Sequence, residues 1–206
     1  METPTKRPYR KQRRAEQEAA TREAIAAAAV ELHRSLGPAR TTLTEVAVRA
    51  GVSRMTVYKH FPTDAELFAA CSSHWAERHP FPDPERWAAV AEPGARLARA
   101  LPELYAWYRT NADMLGAALR DAPLLPALAD LMEARWWTFL DRVVAVLTAG
   151  RRATGARRRE LRAALALAVD FQTWRTLSRA GLTDREAARL AARAVAAAVA
   201  PAPAEA

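Results

Sequence analysis

Between Arg54 and His60 the chain sets Arg54, Met55, Thr56, Tyr58, Lys59 and His60 within seven residues, with Thr42 a short way upstream. These side chains suit recognition of a polyanion bearing apolar groups. An arginine such as Arg54 can reach a guanine edge or a phosphate, and Met55 and Thr56 can lie against a thymine methyl. Tyr58, Lys59 and His60 suit phosphates, contacts that fix register without reading sequence. The plain alternative is an ordinary solvated face on a small helical hairpin.

Residue types that do covalent chemistry are sparse. His33, His60, His74 and His79 are the only histidines, and no glycine-rich phosphate loop is present. Cys71 and His74 are three apart, but two ligands do not close a metal site. No enzyme activity, catalytic residue, metal or cofactor is expected. A lone cysteine cannot form an intrachain bridge, so a reducing cytoplasm is the expected compartment. The apolar stretch 24–30 is too weak for a signal-peptide core. The charge-free tail 194–204 falls short of the roughly 20 residues a bilayer span requires, so no membrane is expected.

The elements that would position the cationic run are legible. Thr42 and Glu45 have capping-box spacing at the start of a helix whose Leu43, Val46, Ala47 and Ala50 share a face. Gly51 ends it, and Ser53 caps a third helix. If Val57 and Phe61 are its buried side, a step of about 100° per residue puts Lys59, Met55 and Thr56 farthest outward, with Arg54, Tyr58 and His60 flanking. A helix-turn-helix needs this arrangement. Ahead of it, Ile25, Ala28, Ala29, Leu32 and Leu36 mark a first helix from Ala19 to the Gly37-Pro38 break; behind it, Thr63 and Glu66 open a fourth with Leu67, Phe68, Cys71 and Trp75 on a stripe. The net charge of +8 is concentrated at this end: residues 1–62 hold 12 Lys and Arg against 6 Asp and Glu. Lys6 to Arg14 lacks apolar periodicity and reads as part of a disordered basic arm over 1–18.

The run Thr42-Leu43-Thr44-Glu45-Val46-Ala47 through Ala50-Gly51-Val52-Ser53-Arg54-Met55-Thr56-Val57-Tyr58-Lys59-His60-Phe61-Pro62-Thr63 closely resembles the DNA-binding signature of the tetracycline-repressor (TetR) family of transcriptional regulators, over Thr21 to Leu67. By that resemblance Thr42, Arg54, Thr56, Tyr58, Lys59 and His60 fall where family members touch DNA. Two positions depart from the pattern. Asp64 stands where a phosphate-contacting lysine is common, and Met55 replaces a residue that is commonly small, so base preference does not carry over.

Further along, breaks at Pro93, Asn111 to Asp113, Pro123, Pro126, Gly150 to Gly155 and Ala180-Gly181 separate five or six more helices, with no strand-like alternation. The expected fold is all-α: an arm over 1–18, a helix-turn-helix domain over 19–62, a helical regulatory and dimerisation domain over 63–200, and a disordered tail over 201–206. Helices near 156–179 and 183–199 carry the stripes Leu161, Leu165, Ala168, Gln172 and Ala187, Leu190, Ala194, Ala197. These predict a four-helix homodimer interface, which the resemblance also implies; packing within one chain is the alternative. The Arg151-Arg152 and Arg157 to Arg159 cluster between them reads as a solvated loop.

Tyr105, Trp107, Tyr108, Met132, Trp136, Phe171 and Trp174 could line a pocket for a small hydrophobic ligand, or could simply be core. Adjacent Trp136 and Trp137 should serve different surfaces. Asp170, inside an apolar run, could meet a cationic ligand, pair with Arg175 or stay partly exposed. The resulting expectation is a dimeric repressor of a double-stranded DNA operator, released by ligand, with the helix after Thr63 as mechanical link. A DNA-binding dimer with no small-molecule ligand is the alternative, and activation in place of repression stays open.

Overall fold

The computed structural model describes residues 6–199, with side chains described over 11–198. The expected tail at 201–206 and the first five residues of the expected arm lie outside the described residues. Within them the chain is helical, with no strand.

Eleven α-helices are described: α1 (Lys6–Ser35), α2 (Leu43–Ala50), α3 (Arg54–His60), α4 (Asp64–Arg78), α5 (Pro84–Ala88), α6 (Pro93–Asp121), α7 (Pro126–Met132), α8 (Thr138–Thr148), α9 (Gly155–Val169), α10 (Phe171–Arg179) and α11 (Asp184–Val199). Short 3₁₀ turns occupy Pro38–Arg40 and Ala122–Leu124, and a π turn occupies Glu133–Trp137. They fall into two compact units, residues 1–80 with 113–132 and residues 81–112 with 133–206. α4 and the segment 113–132 are thus grouped with the helix-turn-helix rather than with the helices behind it.

The first unit is built around Ile25, Ala29 and Leu32 of α1, Val46 and Ala47 of α2, Val57 of α3, Phe61, and Leu67 and Cys71 of α4, all buried. These are the periodic apolar positions, and burying them orients three short helices that would be marginal alone. Both expected capping boxes form. Thr42 Oγ1 accepts from Glu45 N–H at 3.2 Å while Glu45 accepts from Thr42 N–H at 2.8 Å, and Thr63 pairs with Glu66 in the same way. Each cap contributes about 1 kcal/mol.

Three expectations need correction. α1 begins at Lys6, so residues 6–18 continue the helix instead of forming an irregular arm. The stretch is rich in good helix formers and carries i,i+4 pairs, Gln12 to Glu16 at 3.1 Å and Arg14 to Glu18 at 3.4 Å, which outweigh its lack of an apolar stripe. α6 runs unbroken through Asn111 to Asp113, because buried Asn111 donates from Nδ2 to the Trp107 carbonyl one turn back and offers no competing turn. The helix expected over 156–179 is broken at Asp170, which is the N-cap of α10: its Oδ1 accepts from Gln172 N–H at 2.7 Å and Thr173 N–H at 3.0 Å.

In the second unit, Tyr105, Tyr108, Trp136, Phe171 and Trp174 are buried in mutual ring contact, joined at the edge by Phe81 and Trp107. Tyr105 Oη donates to the Ala168 carbonyl at 2.6 Å and Tyr108 Oη to that of Val169. Burial raises both phenol pKa values above the usual range. α9 and α11 pack on each other, spending Leu161, Leu165 and Ala168 on one side and Ala187, Ala188 and Val195 on the other.

Candidate nucleic-acid interface

α3 is positioned at both ends. At its start Ser53 Oγ accepts from Thr56 N–H at 3.0 Å. Before it, Gly51 adopts φ +68°, and Val52 N–H reaches back to the Ala47 carbonyl at 3.0 Å, closing the turn with a left-handed residue that only glycine adopts cheaply. At its end Arg22 of α1 donates to the His60 carbonyl, and its guanidinium lies 4.1 Å over the Phe61 ring. Arg22 was not singled out by sequence; an arginine 38 residues away carries no local signal of such a role.

Val57 is fully buried and Phe61 nearly so, which turns the opposite face of α3 outward. Arg54, Met55, Tyr58 and Lys59 are exposed, Met55 at 74%. Arg54 Nη2 donates to Tyr58 Oη at 3.0 Å, pre-ordering the two side chains one turn apart. Lys59 Nζ stands 3.9 Å from Glu18 of α1, an exposed pair that a phosphate could displace. Thr56 and His60 are only half-exposed, and the Thr56 hydroxyl shares a 2.8 Å hydrogen bond with Ser53 Oγ. Thr56 therefore stands less far outward than the 100° step alone predicts, because the N-cap draws it in. Thr42 is exposed at the start of α2, but its hydroxyl donates to Glu45 Oε2 at 2.7 Å; the Thr42 backbone N–H first, and this hydroxyl second, hold the Glu45 carboxyl pKa below the usual range.

The other candidate groups lie elsewhere. Cys71 is buried, its thiol donates to the Ala26 carbonyl at 3.7 Å, and burial pushes its pKa up to about 12, which leaves it inert. His74 pairs with Arg78 at 2.8 Å instead of with Cys71. No group of three or more His, Cys, Asp or Glu among the described residues could hold a metal. Of the aromatic set, Tyr105, Trp107, Tyr108, Trp136, Phe171 and Trp174 come together in the second unit, whereas Met132 closes α7 in the first. Asp170 is half-exposed and occupied by its capping role, and Arg175 lies over the Phe171 ring at 5.7 Å. In the arginine cluster, Arg151 is half-buried and donates to the Leu147 and Pro93 carbonyls, so this one member is structural; the others are exposed. It borders a cavity of about 270 Å³ with Thr148, Arg158 and Arg162.

A three-helix head presenting an exposed, cationic second helix of a helix-turn-helix defines a DNA-binding transcriptional regulator. Residues 25–71 match the family described as bacterial regulatory proteins, tetR family, over the helix-turn-helix and the start of α4. The fold of the chain is similar to those of a transcriptional regulator from Rhodococcus sp. Rha1 (23% identity, 86% of this chain and 95% of that one, TM-score 0.56) and a TetR transcription regulator from Haloarcula marismortui (22%, 88% and 97%, TM-score 0.58). It is also similar to the multidrug binding protein EbrR complexed with imidazole (24%, 89% and 92%, TM-score 0.54). No curated protein matches the chain in sequence. Regulators of this family bind DNA operators and typically dimerise, and no described helix is long and apolar enough to cross a membrane.

Proposed function

We propose that the chain is a homodimeric repressor that reads a palindromic operator with Arg54, Met55, Thr56, Tyr58, Lys59 and His60 of α3, assisted by Thr42, and leaves it when a small hydrophobic ligand enters the second unit. The observation that carries the reading is the Arg54–Tyr58 pair on the exposed face of α3, buttressed from behind by Arg22. Arg54 is placed to reach a base edge, and Tyr58 and Lys59 to hold phosphates. One such helix reads few base pairs, and two related by a two-fold axis read half-sites about 34 Å apart.

The dimer surface we assign is what α9 and α11 leave outside once they have packed together. Leu167 is 66% exposed, with Ala163 and Ala166 beside it in sequence and also exposed; Leu190, Ala194 and Ala197 are exposed on α11. This differs from the α9 stripe first expected, Leu161, Leu165 and Ala168, which is buried within the chain; Gln172 belongs to α10. Ligand would act by favouring a dimer geometry that mismatches the half-sites; coupling of about 1 to 3 kcal/mol changes occupancy several-fold to 150-fold.

Selection of bound DNA from a random library, titrated with salt, tests the reading. A palindrome recovered by the wild type and lost with Arg54→Ala and Tyr58→Ala supports it. Sequence-blind binding that survives both changes removes it. A second reading, a DNA-binding dimer with no small-molecule ligand, draws support from the close ring packing of the aromatics and the satisfied hydroxyls of Tyr105 and Tyr108. Lack of thermal stabilisation by any member of a hydrophobic compound library favours it.

A further inference from the structure

We infer that Trp136 is the polar anchor of a ligand site in the second unit, and that the site takes a neutral, flat, ring-bearing molecule carrying a hydrogen-bond acceptor. This rests on the reading that the second unit senses a small molecule, and it names the chemical class.

Trp136 is 2% exposed, and its Nε1 is the sole buried side-chain nitrogen or oxygen among the described residues that has no hydrogen-bond partner. Its neighbours in the same unit are satisfied. Trp87 Nε1 donates to Glu103 at 2.7 Å, Trp174 Nε1 to Asp184 at 2.9 Å, and the Tyr105 and Tyr108 hydroxyls reach backbone carbonyls. A fold that pairs these donors and leaves one buried N–H without an acceptor carries a cost that an incoming acceptor would remove.

The surroundings define what that acceptor is attached to. The rings against Trp136 are Phe81, Trp107, Tyr108 and Phe139, with centroids 5.9 to 6.0 Å away, and Trp107 lies within 17° of parallel to it. None of these side chains is charged, and the Tyr108 hydroxyl is already committed. A carboxylate placed there would have a single neutral donor to offset its desolvation, and an ammonium, although its charge could lie over the ring faces, has no lone pair to accept the Trp136 N–H, so the unpaired donor selects a neutral molecule that carries an acceptor. Flat rings suit the near-parallel indoles.

Two features would admit it. Trp136 sits in the π turn Glu133–Trp137, a local widening of the helical ladder of the kind that recurs at functional sites. At the cluster's edge Phe81, stacked on Phe139 at 4.5 Å, is 40% exposed, and it lies in the irregular segment between α4 and α5, so its ring can move without unwinding a helix.

Calorimetry on the full-length protein with coumarin, quinoline and naphthalene, alongside benzoate and benzyltrimethylammonium, tests the site. The first two present an acceptor on a flat bicycle, and naphthalene has the same shape without one. The expected result is that coumarin or quinoline binds about tenfold more tightly than naphthalene, an advantage matching one hydrogen bond. Trp136→Phe should erase that advantage and leave naphthalene unchanged. Should Trp136→Phe fail to fold, ¹⁵N-indole spectra of the wild type, assigned through Trp→Phe changes at the other tryptophans, give the same answer: the Trp136 N–H signal moves on adding coumarin. No acceptor advantage, an advantage retained in Trp136→Phe, an unmoved Trp136 signal, or tighter binding of benzoate or benzyltrimethylammonium each overturns the proposal. Operator occupancy separates the two readings. Coumarin that binds through Trp136 without changing occupancy leaves the site standing and removes ligand-driven release; release by a compound that leaves the Trp136 signal unmoved does the opposite.

Discussion

Asp121 Oδ2 accepts a hydrogen bond from the backbone N–H of Ala39 at 3.0 Å, joining the last residue of α6 to the turn between α1 and α2 across 82 positions of sequence. Arg120 braces the same carboxylate through Nε at 2.6 Å and Nη2 at 3.0 Å, which holds the Asp121 pKa below the usual range. The carboxylate is 4% exposed, so it is committed to that turn and not to solvent.

Asp121→Ala strands the Ala39 N–H and frees the turn. The expected loss is about 1 to 3 kcal/mol, read as a lower urea midpoint with unchanged slope. Gly37, beside the same clasp, has φ +98°, and a Cβ there would lie 2.0 Å from Arg120 Nη2 and 2.6 Å from Asp121 Oδ2. Gly37→Ala should therefore cost at least as much, from backbone strain and from collision with the clasp. In an Asp121→Ala background the collision is partly relieved, so the double variant should lose less than the sum of the two singles. Additive losses would show that the clasp and the turn are independent.

Stability should depend on pH through His33. It is buried against Phe68 with Asp121 nearby, and burial pulls its pKa down from 6.5 to about 4, the Asp121 charge opposing only in part. The unfolded chain binds a proton near pH 6.5 and the folded chain does not until about pH 4. The stabilisation is therefore complete above pH 6.5 and is lost as pH falls from there toward 4, by on the order of 3 kcal/mol. Urea midpoints at pH 7 and pH 4.5 should differ in the wild type and much less in His33→Leu. Equal slopes with pH in both proteins would place the dependence elsewhere.

Arg22 and Lys59 should separate positioning from phosphate contact. Arg22→Ala removes the brace on the His60 carbonyl and the cation over Phe61, and operator affinity should fall about tenfold with the salt dependence kept. Lys59→Ala should weaken binding to all sequences alike and reduce the slope of log K against log salt by about one. Fluorescence anisotropy at four salt concentrations reads both. A slope that falls equally in the two variants would make Arg22 a phosphate contact.

Leu167→Arg and Leu190→Asp place charges on the faces that α9 and α11 leave exposed. Light scattering should show the dimer converted to monomer by both, with helicity by circular dichroism retained. A monomeric wild type would remove the proposed dimer, and dimers unaffected by either change would move the interface elsewhere.

The sequence alone determined the reading head. Thr42, Glu45, Gly51, Ser53, Thr63 and Glu66 act through backbone groups two to four residues away, so spacing suffices to place α2, α3 and α4. Val57 and Phe61 then decide which face of α3 turns outward, because helical periodicity converts position into direction. The same local logic misplaced the start of α1, put a break inside α6 and missed the one at Asp170, because side-chain bonds within a turn can extend a helix without an apolar stripe, as Gln12 to Glu16 does, or cap a new one, as Asp170 does. Only the tertiary structure decided the rest. That Arg22 closes α3, that Asp121 clasps Ala39, that Leu161 and Leu165 are spent inside the chain while Leu167 is not, and that Trp136 keeps an unpaired N–H all depend on which helices meet. Such contacts join residues distant in sequence, 38 positions for Arg22 and His60 and 82 for Asp121 and Ala39, and no periodicity along the chain encodes them, since burial is set by the neighbour a face finds and not by the face itself.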